Sequence, residues 1–238
     1  MKLNLKIKEM VLLKKKTIII SILVFIIFYF SSLSQLIPVY LFDIKNITPS
    51  IRVLLSTFSS CLLVIILYFI YRKDLKKEWK IFKKNPSDIM NTTFGYWFIG
   101  MIIMLISNTL IIYLTGSGGA NNEKLVQSMI GALPLVMLVN AGLLAPFNEE
   151  LVFRKAIRNL VNRKWLYVFL SGFIFGLLHI IGSYNSIVDF LYIIPYGSLG
   201  CAFALAYWET KTIFSSIFMH TIHNTILIGF SILIKFII

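Results

Sequence analysis

Seven runs of apolar residues decide what this chain can fold into, because each approaches the about 20 residues that carry a helix across a bilayer core. They fall at 17–41, 53–71 and 94–115, then from residue 134 onward, and at 165–181, 187–208 and 213–234. Backbone that crosses lipid must satisfy its own hydrogen bonds, which favours helices. The predicted fold is therefore all-α: a polytopic transmembrane helical bundle of about seven spans. Composition agrees. The chain is 58% hydrophobic and 14% charged, with mean hydropathy +0.84. Soluble domains run at about 45–50% apolar and about 25% charged. That much apolar surface rules out disorder. The first run has a basic start and Ser31, Ser32 and Ser34 after its apolar stretch, as a signal peptide would, but it continues to Leu41 and is long enough to stay as an anchor. Cys61 and Cys201 both lie in apolar runs and make neither a disulfide framework nor a zinc ribbon.

The net charge of +13 would suggest nucleic acid in a soluble chain. Here no nucleic-acid partner is expected, and the charge reads as an orientation signal, since Lys and Arg mark cytoplasmic loops. Lys2, Lys6, Lys8, Lys14, Lys15 and Lys16 precede the first run. Arg72, Lys73, Lys76, Lys77, Lys80, Lys83 and Lys84 follow the second. Arg154, Lys155, Arg158, Arg163 and Lys164 precede the fifth, and Lys211 precedes the seventh. Only Lys45, Arg52, Lys124 and Lys235 fall on the other side. The amino terminus is thus expected in the cytoplasm, and seven spans put the carboxy terminus outside. Segment 73–84 mixes basic residues with Leu75, Trp79, Ile81 and Phe82. It reads either as an amphipathic helix on an anionic leaflet or as a solvated loop. Segment 116–122 reads as a polar outer loop.

Ionisable residues inside spans are costly and mark candidate functional positions. Glu9, Asp43, Asp74, Glu78, Asp88, Glu123 and Glu209 fall in loops or at span edges. Glu149, Glu150 and Asp189 fall in apolar runs, as do His179, His220 and His223, so the first three spans hold no interior titratable group. Asp189, near the outer end of its span, is expected to snorkel. Glu149 and His179 each lie 15 residues from Lys164, on opposite sides of a basic turn. In an antiparallel hairpin they reach one level, about 22 Å from that turn, with Lys155 and Arg158 snorkelling to the surface. His220 lies nine residues past Lys211. The chain divides on this basis into 1–127, transmembrane helices without a motif, and 128–238, a catalytic membrane core.

Glu150 and Arg154 are spaced i, i+4 with the acid first, so they share a helix face and can pair. Glu149 is turned about 100° away and has no such partner. One carboxylate is thus held in a supporting role and the other left free to act as a general base. Capping of a helix by Asn148, with both acids complementing its dipole, is the structural alternative. Gly172 and Gly176 form a small-xxx-small face, which would draw the Glu149 helix toward His179. His220 and Asn224 share a face and can donate to a developing oxyanion. His223 lies off that face and reads as structural. One free carboxylate, two histidines and an asparagine suit activation of water and hydrolysis of a peptide bond within the membrane. No Gly-x-Ser-x-Gly or His-Glu-x-x-His is present. A zinc held by His179, His220 and Glu149 is also open, and spacing does not decide between a metal and a metal-free site.

Glu149-Glu150-x-x-Phe153-Arg154, Phe175-x-x-x-His179 and His220-x-x-x-Asn224 occur in that order. The chain resembles the CPBP family, the CAAX proteases and bacteriocin-processing enzymes, also called the Abi family of intramembrane endopeptidases. The resemblance covers about 134–230. It implies a helical membrane core with a polar cavity open to the cytoplasm. It implies that Glu149 and His179 activate water, that His220 and Asn224 stabilise the oxyanion, and that Glu150 and Arg154 support them. The substrate it implies is a peptide or protein in or near the membrane. The Ile-, Lys-, Asn- and Phe-rich usage suggests an AT-rich bacterial genome, hence a bacterial plasma membrane and a propeptide, pheromone or bacteriocin precursor. Two other classes compete. A non-catalytic immunity or binding protein on the same scaffold would work without Glu149. A proton-coupled transporter is disfavoured because every interior polar group lies in the second half. Pro146 must start or kink a helix just before Glu149.

Overall fold

The computed structural model describes residues 2–237, with side chains placed for 15–235. Lys2, Lys6, Lys8, Glu9 and Lys14, which entered the charge count above, lie outside the described side chains. The described chain is helical, with no strand. It runs through α1 (Lys2–Phe30), a 3₁₀ turn at Ser31–Gln35, α2 (Leu36–Leu41), α3 (Pro49–Phe82), α4 (Pro86–Thr115) and α5 (Asn121–Ala132). It continues through α6 (Pro134–Val139), α7 (Ala145–Glu149), α8 (Ile157–Leu160), α9 (Lys164–Ile181), α10 (Ile193–Thr210) and α11 (Ile213–Ile237). Wide π turns at Asn140–Leu144 and Glu150–Ala156 join α6, α7 and α8 into one continuous rod. Among the described residues seven helical segments are long and apolar enough to span a membrane, as the sequence predicts.

The breaks follow local chemistry. Thr48 caps α3 by accepting the Ile51 N–H, with Pro49 in the first turn. Gly116, at φ 65°, ends α4 in the left-handed conformation that glycine adopts without penalty. Pro134 opens the rod. Segment 116–122 is a loop only to Ala120, because α5 begins at Asn121.

The central core gathers Leu63, Leu67 and Tyr71 of α3, Leu151–Phe153 and Ala156 of the rod, Tyr167 and Phe175 of α9, and Ile213 and Ile217 of α11. Outward-facing Leu54, Phe98, Phe169 and Ile194 are exposed, as lipid contact allows. The glycine face of α9 meets α10, which corrects the expected partner. A Cβ at Gly172 would lie 2.7 Å from the Gly197 carbonyl, and one at Gly176 2.7 Å from the Ile193 carbonyl. Glycines on both helices allow that approach. The rod docks on α9 otherwise: Ser171 Oγ donates to the Phe153 carbonyl at 2.7 Å, and Phe153 meets Phe175 edge-on at 5.5 Å.

Segment 73–84 is neither a separate surface helix nor a loop. α3 runs unbroken to Phe82, extending Leu63, Leu67 and Tyr71 into a buried stripe through Leu75, Glu78 and Phe82. Trp79 packs against Phe214 at 4.9 Å.

Candidate functional site

The rod is distorted where the candidate residues gather. In the first π turn the Ala145 N–H reaches the Asn140 carbonyl, five residues back. The next donor in that register belongs to residue 146, a proline, which has none. The Ala141 carbonyl takes its hydrogen bond instead from Asn224 Nδ2 of α11, at 2.8 Å. Pro146 thus ties a site residue of α11 to the turn just before Glu149. Such bulges often mark functional positions. Asn148 caps nothing; its Nδ2 donates to the Ser60 carbonyl of α3 at 3.1 Å.

Glu150 and Arg154 pair as their spacing predicts, with Arg154 Nε 3.0 Å from Glu150 Oε2 and both side chains fully buried. The guanidinium lies 4.7 Å from the Phe175 ring centroid and donates to Ser171 Oγ at 3.2 Å. Glu150 Oε1 lies 2.8 Å from His220 Nδ1. A carboxylate beside a cation can only accept, so His220 carries a proton on Nδ1 and aims Nε2 at the cavity. Glu149 meets it there, with Oε2 3.7 Å from His220 Nε2 and 19% of its side chain exposed, against none for Glu150. The adjacent acids therefore have opposite settings. Glu149 has a neighbour that sequence spacing did not reveal, since His220 comes from another helix.

His179 Nδ1 lies 2.8 Å from the Phe175 carbonyl, an acceptor only, so its proton sits on Nδ1 and the neutral ring's Nε2 can accept. Its ring stacks on Tyr196 at 4.6 Å. Glu149, His179, His220 and Asn224 all line one cavity of about 810 Å³, whose wall is largely apolar: Phe28, Met104, Leu178, Leu199 and Leu227 are among its residues. His223 lines it too, accepting from Trp97 Nε1 at 3.3 Å, so it has the structural partner expected of it and faces the cavity as well. Among the described residues no three His, Cys, Asp or Glu side chains are grouped to hold a metal, so His179, His220 and Glu149 do not form a ligand set here.

Two charged residues, Glu78 and Lys155, sit elsewhere than expected. Glu78 is buried, so one of the first three spans does deliver an ionisable group to the interior. It ion-pairs with Lys155, accepts the Tyr207 hydroxyl at 3.1 Å, and accepts the Ile213 N–H that opens α11 at 2.7 Å. Lys155 is correspondingly buried rather than snorkelling, with Asp74 at 3.4 Å as its second partner. Arg158 stacks on Trp208, 3.7 Å from the ring centroid. Asp189, partly exposed near the start of its span, accepts the Asn185 and Ser186 N–H groups at 2.7 and 3.0 Å and Asn121 Nδ2 at 3.2 Å. Glu78 was legible in principle, as an acid on the apolar stripe of α3, but its basic neighbours made the segment read as a loop.

Residues 131–226 match the family model described as type II CAAX prenyl endopeptidase Rce1-like. The chain is 26% identical over 223 residues to a Bacillus subtilis protein named "Putative membrane peptidase YdiL", covering 87% of this chain and 86% of that one. It is 28% identical over 211 residues to an uncharacterized protein of Mycoplasma capricolum, covering 83% and 60%. It is 27% identical over 190 residues to the UPF0177 protein YaiF of Lactococcus lactis, covering 78% and 81%. No solved structure matches the chain.

Proposed function

We propose that the chain is an intramembrane endopeptidase that works through Glu149, a reading supported by the match of residues 131–226 to the Rce1-like CAAX protease family model. That match, and the likeness to a protein named as a putative membrane peptidase, support a membrane protease at the coarse level. The opposite settings of Glu149 and Glu150 carry the finer reading, since only one of the two acids is left open to the cavity. We take 128–238 as the catalytic core, with the earlier helices supplying wall and buttress.

Glu149 draws a proton from a water molecule in the cavity, and Nε2 of His179 accepts the water's other hydrogen bond. The resulting hydroxide attacks the carbonyl carbon of a peptide bond, and charge develops on the carbonyl oxygen. His220 Nε2 donates to that oxygen when its ring carries both protons, a cation flanked by Glu150 and Glu149. Asn224 has one N–H committed to Ala141 and offers the other. Collapse of the tetrahedral intermediate breaks the C–N bond, and the proton held by Glu149 goes to the leaving amine. Glu150 and Arg154 hold His220 in place. The apolar wall suits a membrane-associated peptide, and the relatives in Bacillus, Mycoplasma and Lactococcus support a bacterial plasma membrane. A propeptide, pheromone or bacteriocin precursor is the substrate class proposed.

Comparative peptidomics of membrane fractions from cells carrying the wild type or Glu149→Ala tests this. The expected result is loss of a cleaved species and accumulation of its longer precursor. Unchanged cleavage, with the variant inserted at normal abundance, would contradict it.

A further inference from the structure

The three histidines of the chain are fixed by three different partners, and one of them carries its proton on the other nitrogen. The Phe175 carbonyl and the Glu150 carboxylate accept from Nδ1 of His179 and His220, so each of these rings, when neutral, turns a lone pair on Nε2 to the cavity. His223 is the reverse. Trp97 Nε1, which can only donate, reaches His223 Nδ1 at 3.3 Å, so that nitrogen holds the lone pair and the proton sits on Nε2.

The surroundings make this donor rigid and leave it unused. The Trp97 ring meets the imidazole edge-on, with centroids 6.1 Å apart at 72°, and packs against Leu199, Phe203 and Met219. Trp97 lies behind the cavity wall, whereas the buried His223 lines it. With Nδ1 turned to Trp97, Nε2 on the far side of the ring faces the cavity, and it has no hydrogen-bond partner among the described residues. A buried N–H without an acceptor is costly, so the position favours a ligand that supplies one. His223 follows His220 by three residues, a rise of about 4.5 Å along α11. That is one to two residues of extended peptide at about 3.3 Å each.

We propose that His223 is a substrate-binding residue: its Nε2–H, locked by Trp97, takes a backbone carbonyl of the peptide one or two residues from the scissile bond. It donates whatever the proton state of His220. It therefore holds the peptide equally before and during the reaction, and sets affinity rather than turnover. The word peptide rests on the endopeptidase reading; the tautomer of His223 does not.

Two measurements test this without turnover. Nitrogen NMR on protein with isotope-labelled histidine, in lipid nanodiscs at alkaline pH, gives one ring signature per histidine, assigned by replacing each in turn. Expected is His179 protonated on Nδ1 and His223 on Nε2. In Trp97→Phe, which keeps an aromatic ring in place, His223 becomes a mixture of the two tautomers. A His223 protonated on Nδ1 in the wild type overturns the proposal. The second measurement is binding of an acetylated, amidated leucine–alanine decapeptide, in a Glu149→Gln background so that nothing is cleaved. His223→Phe should weaken binding about three- to tenfold. His223→Gln, whose amide can accept from Trp97 and donate to the cavity, should restore most of it. Trp97→Phe leaves His223 itself intact and should fall between, so a His223→Phe protein that fails to fold leaves the test standing. Equal binding by the parent, His223→Phe and Trp97→Phe, or no saturable binding by the parent, overturns the proposal. Presence or absence of cleavage by the wild type changes neither measurement, so this proposal and the endopeptidase reading fail separately.

Discussion

The two ends of the bundle are built differently. At the basic end, ions are removed from solvent and matched: Glu150 with Arg154 and His220, and Glu78 with Lys155, Tyr207 and the start of α11. At the other end α5 is fastened by single neutral or exposed links. Gln127 Nε2 donates to Ser231 Oγ at 3.0 Å, Lys235 Nζ to the Gln127 carbonyl at 2.8 Å, and Asn122 Nδ2 to the Tyr196 hydroxyl at 3.5 Å. A buried charged pair is poor as net stabilisation but severe when broken, which suits the fixing of a ring to a fraction of an ångström. Weak exposed links open at low cost. The lesson is that matched buried charges and weaker exposed links are held at opposite ends, and Glu149 lines the cavity between them.

The contrast can be broken most sharply at Arg154. Arg154→Ala strands Glu150 as a buried charge and should cost about 3–5 kcal/mol, seen as a lowered Tm or loss of folded protein from the membrane. Next comes Asn224→Ala. On the proposed mechanism this removes one oxyanion donor and lowers turnover about 10²–10³-fold, and the Ala141 carbonyl left by Pro146 loses its Asn224 donor, so a small fall in Tm should accompany it. Glu78→Gln keeps the shape but weakens the hold on Lys155 and α11, with about 1–3 kcal/mol expected in thermal unfolding. At the opposite end Ser231→Ala removes one part-exposed hydrogen bond to α5 and should cost no more than about 1 kcal/mol. If Ser231→Ala destabilises as much as Glu78→Gln, the two ends are not built to different standards.

The spans were legible because length and hydropathy alone specify a membrane helix. Glu150–Arg154 was legible because both partners sit on one helix at a spacing that holds even through a π turn. Contacts between helices were not. The Glu150–His220 and Glu149–His220 approaches join residues about seventy positions apart, and no local periodicity encodes them. The partner of the α9 glycines was misassigned for a related reason. A small face announces that a helix comes close but not which one, and the answer lay in Gly197 and Gly200 across the pair. Glu78 and Lys155 were hidden by their company, since a run of lysines reads as solvent whatever lies beneath it. The role of Pro146 was half visible: the lost donor follows from the residue type, but its replacement by Asn224 needed the third dimension.

Glu149 and Glu150 are adjacent carboxylates with opposite settings, so the most direct measurement compares Glu149→Gln with Glu150→Gln in purified, membrane-reconstituted protein, reading thermal unfolding and cleavage of an identified peptide together. Glu149→Gln should unfold at the wild-type temperature and cleave about 10²–10⁴-fold more slowly, whereas Glu150→Gln should lower the unfolding temperature. A Glu149→Gln protein that cleaves at the wild-type rate would contradict the role proposed for Glu149.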